Sequence, residues 1–258
     1  MMQVLHVPAF RDNYIWLLVD ETGTGMVAVD PGDAAPVLEF MRTSGLPLTA
    51  ILCTHHHADH SGGIRALTAD GGIPVFGPAH EVIVGVTVPV HEGEAIRLPG
   101  FTQPMQVLEV PGHTAGHVAF FNDCWLFCGD TLFSAGCGRL FEGTAEQMHL
   151  SLSKLVGLAP DTEVYCGHEY TLANLRFALM LEPDNPQILD YYQEVSARRG
   201  NGQASLPSTI GRELRINPFL RVDETSLKEV LDQRTGQKSD SAAARFATLR
   251  RWKDEFKG

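Results

Sequence analysis

One short segment of the chain concentrates side chains of the types that bind metal ions in proteins. Four plausible ligands lie within six residues: His55, His57, Asp59 and His60. Neutral imidazole and carboxylate suit zinc, iron or manganese, and a cation offsets the cost of desolvating clustered polar groups. The alternative is a solvated histidine-rich loop, but the segment is internal and Asp59 interrupts the histidines. The pattern therefore predicts a metal site.

The elements that must position these ligands can be read from the apolar runs of the sequence. An apolar run at 48–53 precedes the histidines, and three further runs, at 105–110, 125–128 and 164–166, precede Gly112-His113, Gly129-Asp130 and Gly167-His168. Such runs are typical of buried strands, and glycine lets the backbone turn sharply after each one. We expect four strand ends to lie side by side along one sheet edge and to collect their ligands into one cleft.

The candidate ligands form two sets of three, with one carboxylate left over. The sets are His55, His57 and His113 for one metal, and Asp59, His60 and His168 for the other. Asp130 remains, and because a carboxylate has two oxygens it can bridge two metals about 3.5–4 Å apart. His56 is expected to point away, since neighbours in an extended segment face opposite sides. His117 heads another strand-like run, which favours a supporting role over ligation.

These motifs, in this order and spacing, resemble the metallo-β-lactamase superfamily. Within it the chain closely resembles the glyoxalase II family, the hydroxyacylglutathione hydrolases, nearly end to end. Further matching segments are residues 10–14, 130–133, 136–139, 141–144, 167–171 and 217–219. The resemblance implies an α+β fold: an αββα metallo-β-lactamase sandwich as the metal-binding domain at residues 1–170, followed by a helical glutathione-binding domain at residues 171–258.

The resemblance also implies which residues bind the substrate. Arg139, Arg250 and Lys253 match positions that recognise the carboxylates of glutathione, with Tyr170 as a hydrogen-bonding neighbour. For the basic residues near the end of the chain, the alternative is that they only stabilise a helix terminus. Phe141 stands where some members of the family have tyrosine. Because phenylalanine cannot donate a hydrogen bond, we expect a lower affinity for glutathione.

The ligand set predicts hydrolysis. Two cations that share a water lower its pKa towards about 7, so that a hydroxide attacks a carbonyl carbon while one metal polarises the carbonyl oxygen. Asp59 is expected to orient this nucleophile. Thioesters suit the site because a thiolate leaves readily. By resemblance, the reaction is hydrolysis of S-D-lactoylglutathione and related acylglutathiones to D-lactate and glutathione, the second step of methylglyoxal detoxification.

Two other functions fit parts of the pattern. A glutathione-dependent persulfide dioxygenase would use one iron held by two histidines and an aspartate, but the second ligand set argues against it. A non-catalytic metal-binding scaffold has no physical need for two open metal positions. We therefore expect an enzyme with two divalent metal ions, zinc before iron or manganese, and no nucleophilic Ser or Cys.

Composition limits the partners and the compartment. With 258 residues and 44% hydrophobic content, the chain can bury a large core, and its net charge of −11 disfavours nucleic acid and anionic membranes as partners. No apolar run approaches the roughly 18–20 residues needed to span a bilayer, and the N-terminus lacks signal-peptide features. The five cysteines contain no C-x-x-C pair and are expected to be reduced. We expect a cytoplasmic monomer.

The second half of the chain has the periodicity of helices rather than strands. We predict helices at 171–181, from the Asn185-Pro186 start to before Gly200, and at about 241–256, with a polar loop at 200–208. The second of these helices should bury one face, formed by Ile188, Leu189, Tyr192 and Val195. Residues 144–147 resemble a capping box before an amphipathic segment at 148–158. Strand-like runs should end near Cys166.

Overall fold

The computed structural model of the chain describes residues 3–257, so the ends of the two expected domains, at Met1, Met2 and Gly258, lie outside the described residues. The chain forms two compact units that interleave along the sequence. Unit 1 comprises Met1–Glu109, Thr114–Gly129 and Tyr165–His168, and unit 2 comprises Val110–His113, Asp130–Val164 and Glu169–Gly258.

Unit 1 contains a six-stranded sheet with its strands in sequence order. The strands are β1 (Gln3–Ala9), β2 (Asn13–Val19), β3 (Met26–Val29), β4 (Leu48–Leu52), β5 (Val75–Pro78) and β6 (Val88–Val90). The first three are antiparallel, whereas β3 to β6 run parallel. Since Val29 pairs with Leu52, the residues that follow β3 and β4 emerge at the same level. This register places the turn after β3 next to the histidine segment.

A second sheet follows later in the chain. It contains β7 (Ala95–Ile96), β8 (Met105–Glu109), β9 (Val118–Phe121) and β10 (Trp125–Gly129); then, after a separate hairpin of β11 (Leu132–Phe133) and β12 (Gly136–Cys137), come β13 (Glu163–Cys166) and β14 (Ser208–Thr209). The strand order is β14-β13-β10-β9-β8-β7. Residues 3–257 thus form two six-stranded sheets and one two-stranded hairpin, and the helices lie between strands along the sequence and after the last strand.

Two of the sequence-based expectations about strands are wrong. The four ligand-bearing strands do not share one sheet edge, because β4 belongs to the first sheet while β8, β10 and β13 belong to the second. An apolar run reports that a strand is buried but does not identify its partners. Strands also do not end at Cys166: β14 begins at the end of the predicted loop and pairs with β13. A two-residue edge strand needs backbone hydrogen bonds and no apolar pattern.

The described part of unit 1, which starts at residue 3, has three helices, and all of them lie in the first half of the chain. They are α1 (Ala34–Ser44), α2 (Ala58–Ser61) and α3 (Ile64–Leu67). Asp33 caps α1 by accepting a hydrogen bond from the backbone N–H of Ala35, and Gly45 ends it in the left-handed conformation. Ile64 of α3 packs into the apolar core beneath the first sheet, so the segment that carries Asp59 and His60 is anchored on both sides.

The remaining helices found among residues 3–257 lie in unit 2. They are α4 (Ala145–Leu155), α5 (Thr171–Leu181), α6 (Pro186–Gly200), α7 (Ile210–Ile216), α8 (Thr225–Thr235) and α9 (Ala242–Glu255). The predicted helices at 171–181, 186–199 and 241–256 are confirmed to within a residue or so, and the capping box of α4 is present. Helices α7 and α8 were not predicted. None of the helices within residues 3–257 is long and apolar enough to cross a membrane.

One residue of the predicted apolar face of α6 is misplaced. Ile188 and Val195 are buried as expected, but Leu189 is 42% exposed and Tyr191 takes its place in the core of α5, α6 and α7. Residue 191 lies three positions after Ile188 and four before Val195, so it shares their face of the helix. The hydrophobic character of Leu189 was therefore a weaker guide than its angular position.

Candidate metal centre

The segment that follows β4 is held in place by the buried carboxylate of Asp30. Asp30 Oδ1 accepts a hydrogen bond from the backbone N–H of Thr54 at 2.7 Å, and Oδ2 accepts one from Thr54 Oγ1 at 2.8 Å. Thr54 Oγ1 in turn lies 3.0 Å from His55 Nδ1. Asp30 adopts a left-handed conformation, with φ of 51°, directly after β3. Asp30 therefore both turns the chain after β3 and holds the ligand segment in place.

Asp59, His60 and His168 lie together within unit 1. The Nε2 atoms of the two histidines are 3.2 Å apart, and Asp59 Oδ2 lies 3.6 Å from His60 Nε2 and 3.4 Å from His168 Nε2. The other ring nitrogen of each histidine faces a carboxylate. His60 Nδ1 is 3.1 Å from Asp30 Oδ2, and His168 Nδ1 is 2.9 Å from Asp12 Oδ1.

This arrangement fits a bound cation on chemical grounds. An imidazole whose Nδ1–H is donated to a carboxylate presents a lone pair at Nε2. His60 and His168 therefore direct two lone pairs at each other across 3.2 Å, with a carboxylate oxygen beside them. Atoms that bind one ion at about 2.1 Å with tetrahedral angles are about 3.4 Å apart. The three observed separations bracket that value, so the donor set suits a divalent metal.

His55 and His57 form a second close pair in unit 1. His55 Nε2 lies 3.1 Å from His57 Nδ1, and the ring of His55 is fully buried. His117 is also buried and stacks on His55, with ring centroids 4.6 Å apart at an angle of 19°. The ring of His117 thus supports a candidate ligand within this unit. His56 is directed elsewhere, towards Glu81.

Glu81 is a functional candidate that sequence reasoning missed. Its side chain is only 4% exposed and lies in the turn after β5. The carboxylate accepts hydrogen bonds from the backbone N–H of His56 at 2.6 Å, from Thr114 Oγ1 and from the backbone N–H of Gly116. One buried anion therefore joins the segment that carries His55 and His57 to the loop after His113. An isolated glutamate 25 residues away gives no sequence signal of this role.

Asp12 was missed as well, although a signal existed. It lies in the turn between β1 and β2, inside the segment 10–14 that matches the glyoxalase II family. Its partner His168 is 156 positions away in the sequence. A carboxylate against the outer nitrogen of a ligating histidine is a common arrangement in metal sites, because it fixes the tautomer and the ring orientation.

His113 and Asp130 approach each other within unit 2. His113 Nδ1 lies 2.9 Å from the carbonyl oxygen of Arg139, which leaves Nε2 directed at Asp130 Oδ2 at 3.4 Å. Both side chains are buried. Gly138 is required at this point, since a Cβ there would lie 1.9 Å from the carbonyl oxygen of Asp130. The loop that contains Gly138 therefore passes directly over the backbone of Asp130.

A cavity of about 470 Å³ in unit 2 adjoins this pair. It is lined by both of these residues and by all four predicted substrate-binding residues: His113, Asp130, Arg139, Tyr170, Arg250 and Lys253. Phe141 also lines it and is largely exposed. Tyr170 packs its ring edge against Phe133, with centroids 5.2 Å apart. Two candidate metal ligands and four candidate substrate-binding residues of unit 2 thus line the same cavity.

The basic residues of the cavity differ in how firmly they are held. Arg250 is 4% exposed; its Nη1 donates to the carbonyl oxygen of Cys137 at 2.8 Å and its Nη2 to Asp254 Oδ1 at 3.0 Å. Among residues 3–257, its Nε has no hydrogen-bond partner. Lys253 Nζ donates to the carbonyl oxygen of Ala173 at 3.1 Å. The Arg139 side chain is 66% exposed and its Nε lies 3.7 Å from Asp254 Oδ1, so it is the least firmly held of the three.

Burial shifts the pKa of two side chains in the cavity. Burial, followed by the nearby charge of Arg250, lowers the pKa of Lys253 to about 8. Burial raises the pKa of the Cys137 thiol to about 11, although Arg250 opposes the shift. Cys137 is therefore a neutral thiol near pH 7.

Comparison with known families divides the chain at one point. The family model described as the Metallo-beta-lactamase superfamily matches residues 9–168, and the one described as Hydroxyacylglutathione hydrolase C-terminus matches residues 169–256. The first match covers more than half of the chain, and the two together cover nearly all of it. The two patterns meet directly after His168.

Individual relatives agree with these matches. A hydroxyacylglutathione hydrolase of Alkalilimnicola ehrlichii is 51% identical over 255 residues, which make up 99% of this chain and 100% of the relative. The crystal structure of ETHE1 from Myxococcus xanthus is 25% identical, with a TM-score of 0.64 over 96% of this chain and 98% of that one. The structure of TTHA1623 in a di-iron-bound form is 27% identical, with a TM-score of 0.57 over 83% of this chain and 98% of that one.

Proposed function

The chain belongs to the hydroxyacylglutathione hydrolases of the metallo-beta-lactamase superfamily, and we propose from this premise that it hydrolyses S-D-lactoylglutathione and related acylglutathione thioesters to a hydroxy acid, D-lactate in the first case, and glutathione. One observation carries the proposal beyond family membership. Three basic side chains and a tyrosine line the same cavity as two candidate metal ligands, so unit 2 offers a carboxylate-bearing thioester an anchor next to two of the proposed ligands.

The proposed cofactor is a pair of divalent cations, with zinc in the first place and iron or manganese as alternatives. We retain the ligand sets predicted from the sequence: His55, His57 and His113 for one ion, Asp59, His60 and His168 for the other, and Asp130 as the bridge. The close contacts within each unit support them, as does a 27% identical structure described as di-iron-bound. When bound, such ions lower the pKa of a shared water and polarise a carbonyl group.

Asp59 is the residue proposed to orient the attacking nucleophile. Its Oδ2 atom accepts a hydrogen bond from Asn13 Nδ2 at 3.0 Å, which fixes the direction of the carboxylate. The remaining lone pairs of the same carboxylate face His60 and His168. A carboxylate held in this way accepts a proton or a hydrogen bond in one defined direction, and little reorganisation is needed during the reaction.

Arg139, Arg250, Lys253 and Tyr170 are proposed to bind the glutathione portion. Charge-assisted hydrogen bonds from guanidinium and ammonium groups are the strongest that a carboxylate receives in proteins. The Nε–H of Arg250, buried and without a partner among the described residues, would gain one. The glutathione thiolate leaves without a protein acid, since its pKa is near 8.5. These side chains therefore position the thioester, while the proposed metal ligands serve the bond cleavage.

Three further proposals concern organisation and context. The proposed boundary between the metal-binding and glutathione-binding domains lies after residue 170, supported by family matches that meet at 168 and 169. A cytoplasmic location is supported by the five cysteines, none of which forms a disulfide and four of which are buried. A monomer without nucleic-acid or membrane partners is supported by the net charge of −11 and by the lack of coiled-coil repeats in the sequence.

Thiol release from S-D-lactoylglutathione, by protein of measured metal content, tests the proposed function. We expect turnover that rises with metal content and falls when a chelator removes the metal. A glutathione persulfide offered to the same preparation provides the contrast. Oxygen uptake with the persulfide, without thiol release from the thioester, would overturn the hydrolase proposal. Release from a small thioester at the same kcat/KM as from the glutathione thioester would overturn the glutathione assignment alone.

A further inference from the structure

A second group of metal-ligating side chains lies in unit 1 and shares no residue with the candidate centre. It consists of His80, just after β5, His91, just after β6, and Glu109, at the end of β8, with one donor atom from each within 4.8 Å of the others. His80 Nε2 lies 3.4 Å from Glu109 Oε1. The rings of His80 and His91 are 5.5 Å apart at an angle of 75°.

The backbone beneath this group is held by the two sheets. Pro78 pairs with Val90 across β5 and β6, and the N–H of Ala79 donates to the carbonyl oxygen of Val90 at 3.0 Å. His80 and His91 are therefore brought together by strand register. The turn after His91 is tied to β8, since the N–H of Gly93 donates to the carbonyl oxygen of Val107 at 2.9 Å. Ligands placed on strand ends need only rotamer adjustments to meet a cation.

A second carboxylate strengthens the negative charge at this place. The backbone N–H of Glu109 donates to Glu92 Oε2, and the backbone N–H of Glu92 donates to Glu109 Oε1 at 3.4 Å. The reciprocal contacts hold the Glu92 carboxylate at the backbone of Glu109, whose own carboxylate lies beside His80. Two carboxylates near two neutral imidazoles attract a dication, and the imidazoles can ligate it only in their neutral form.

We propose that His80, His91 and Glu109 form a separate, peripheral binding site for a divalent transition-metal cation of the zinc type. Two imidazole nitrogens and one carboxylate oxygen match the ligands of zinc, nickel or copper, whereas calcium and magnesium require mainly oxygen ligands. The site is open to solvent, since the His80 side chain is 63% exposed. It therefore binds more weakly than the buried centre and leaves positions for water on the ion.

Occupancy of this site stabilises unit 1. The three ligands come from the ends of β5, β6 and β8, so the ion cross-links strands of two different sheets. His80 also precedes Glu81, whose buried carboxylate holds the His56 backbone and the loop at Thr114. A ligand that binds only the folded state raises its stability in proportion to the logarithm of the ligand concentration above Kd.

Equilibrium dialysis against zinc, with metal counted per chain, tests the site on intact protein already loaded at its tight sites and freed of excess metal. We expect the wild type to bind one more zinc ion than the double variant His80→Asn/His91→Asn. The variant should keep wild-type thiol release at low zinc, because neither residue belongs to the proposed reaction site. His6→Asn, which removes an exposed histidine from β1 of the same unit, should bind as the wild type does.

Thermal unfolding provides the second readout. Added zinc should raise the Tm of the wild type and of His6→Asn, but not that of His80→Asn/His91→Asn. Glu109→Gln should weaken the additional binding at least several-fold, because it removes the charged ligand and leaves both histidines. Equal zinc binding by the wild type and the double variant would overturn the proposal, as would a zinc-dependent rise in Tm that survives the loss of both histidines.

Discussion

Two regions of the molecule differ in how firmly their side chains are held. One is the histidine cluster of unit 1, formed by Asp59, His60 and His168. The other is the basic cavity of unit 2, which is lined by Arg139, Arg250 and Lys253. In the cluster, both nitrogens of His60 and of His168 have assigned neighbours, and the outer ones face Asp30 and Asp12. In the cavity, Arg139 is mostly exposed and Lys253 makes one hydrogen bond to a backbone carbonyl oxygen. The first region is held by several contacts before any ligand binds, whereas in the second Arg250 is buried and hydrogen-bonded but Arg139 retains side-chain freedom.

This difference is what the proposed chemistry requires. A cation site gains from ligands held rigidly, because each misplaced donor costs affinity and geometry. Binding of a flexible tripeptide thioester tolerates mobile cations, since long-range charge attraction does not need one fixed geometry. Substitutions in the cluster should therefore affect metal content and kcat, while substitutions in the cavity should affect mainly KM.

The largest effect should come from removing a member of the cluster. His168→Ala is expected to lower kcat/KM for S-D-lactoylglutathione by at least about 100-fold, since even the outer partners of ligands cost roughly 10–100-fold. The bound metal per chain should fall in parallel, as measured by elemental analysis. His56→Ala is the matched control, because its ring faces Glu81. Normal metal content and turnover in His168→Ala would remove this residue from the proposed ligand set.

The cavity side of the comparison is tested by Lys253→Ala and Arg250→Ala. Each should raise KM for an acylglutathione roughly 5- to 150-fold, which corresponds to about 1–3 kcal/mol for a hydrogen bond to a charged group, with a much smaller change in kcat. Arg251→Ala, an exposed neighbour on α9, should leave KM unchanged. The effects should vanish with a small thioester that lacks carboxylates. Equal losses with both substrates would contradict a binding role.

The constraint on His168 can be weakened without removing a ligand. Asp12→Asn keeps a hydrogen-bond acceptor near His168 Nδ1 but removes the negative charge, so the imidazole becomes a poorer donor to metal. We expect about a 10-fold loss of metal affinity, measured by competition with a chelator. Asp123→Asn, in an exposed turn of the same unit, is the control. An unchanged affinity would show that the charge of Asp12 does not tune the site.

The smallest effect is a pH dependence that comes from Lys253. Burial lowers its pKa to about 8, so its positive charge is present at pH 7 and is lost as pH rises through 8. Attraction for a substrate carboxylate weakens in that direction, and KM should rise by at most about 10-fold between pH 7 and pH 9. Lys253→Arg keeps the charge at both pH values. An identical KM profile in Lys253→Arg would assign the titration to another group.

The family and its α+β fold class were predictable from the sequence, and the comparisons confirm both. The reason is that the defining signals are local. A glycine followed by a ligand-type residue after an apolar run marks a strand end, and the pairs at Gly129-Asp130 and Gly167-His168 need only a few adjacent residues to be recognised. Sheet membership was predicted wrongly because it depends on which distant strands pair.

Residues that act at a distance show the same limit. Glu81 carries no motif, and Asp12 was noted only as part of a matching segment, yet both contact the candidate ligands or their loops. Lys253 was carried over from a resemblance, but its lowered pKa depends on burial and on the neighbouring charge of Arg250. Position in space, rather than residue type, produces these properties.

The sequence by itself determined those features whose cause lies within a few residues. These are the dense ligand segment at 54–60, the capping box that starts α4, and the Asn185-Pro186 start of α6. Only the tertiary structure decided which carboxylate faces which histidine, which cations share a cavity, and where His80 meets Glu109. The two partners of a capping interaction lie within one helical turn of each other, so both can be recognised in one short stretch of sequence. Contacts between distant strand ends arise only after folding has brought the strands together, and no local pattern encodes their partners.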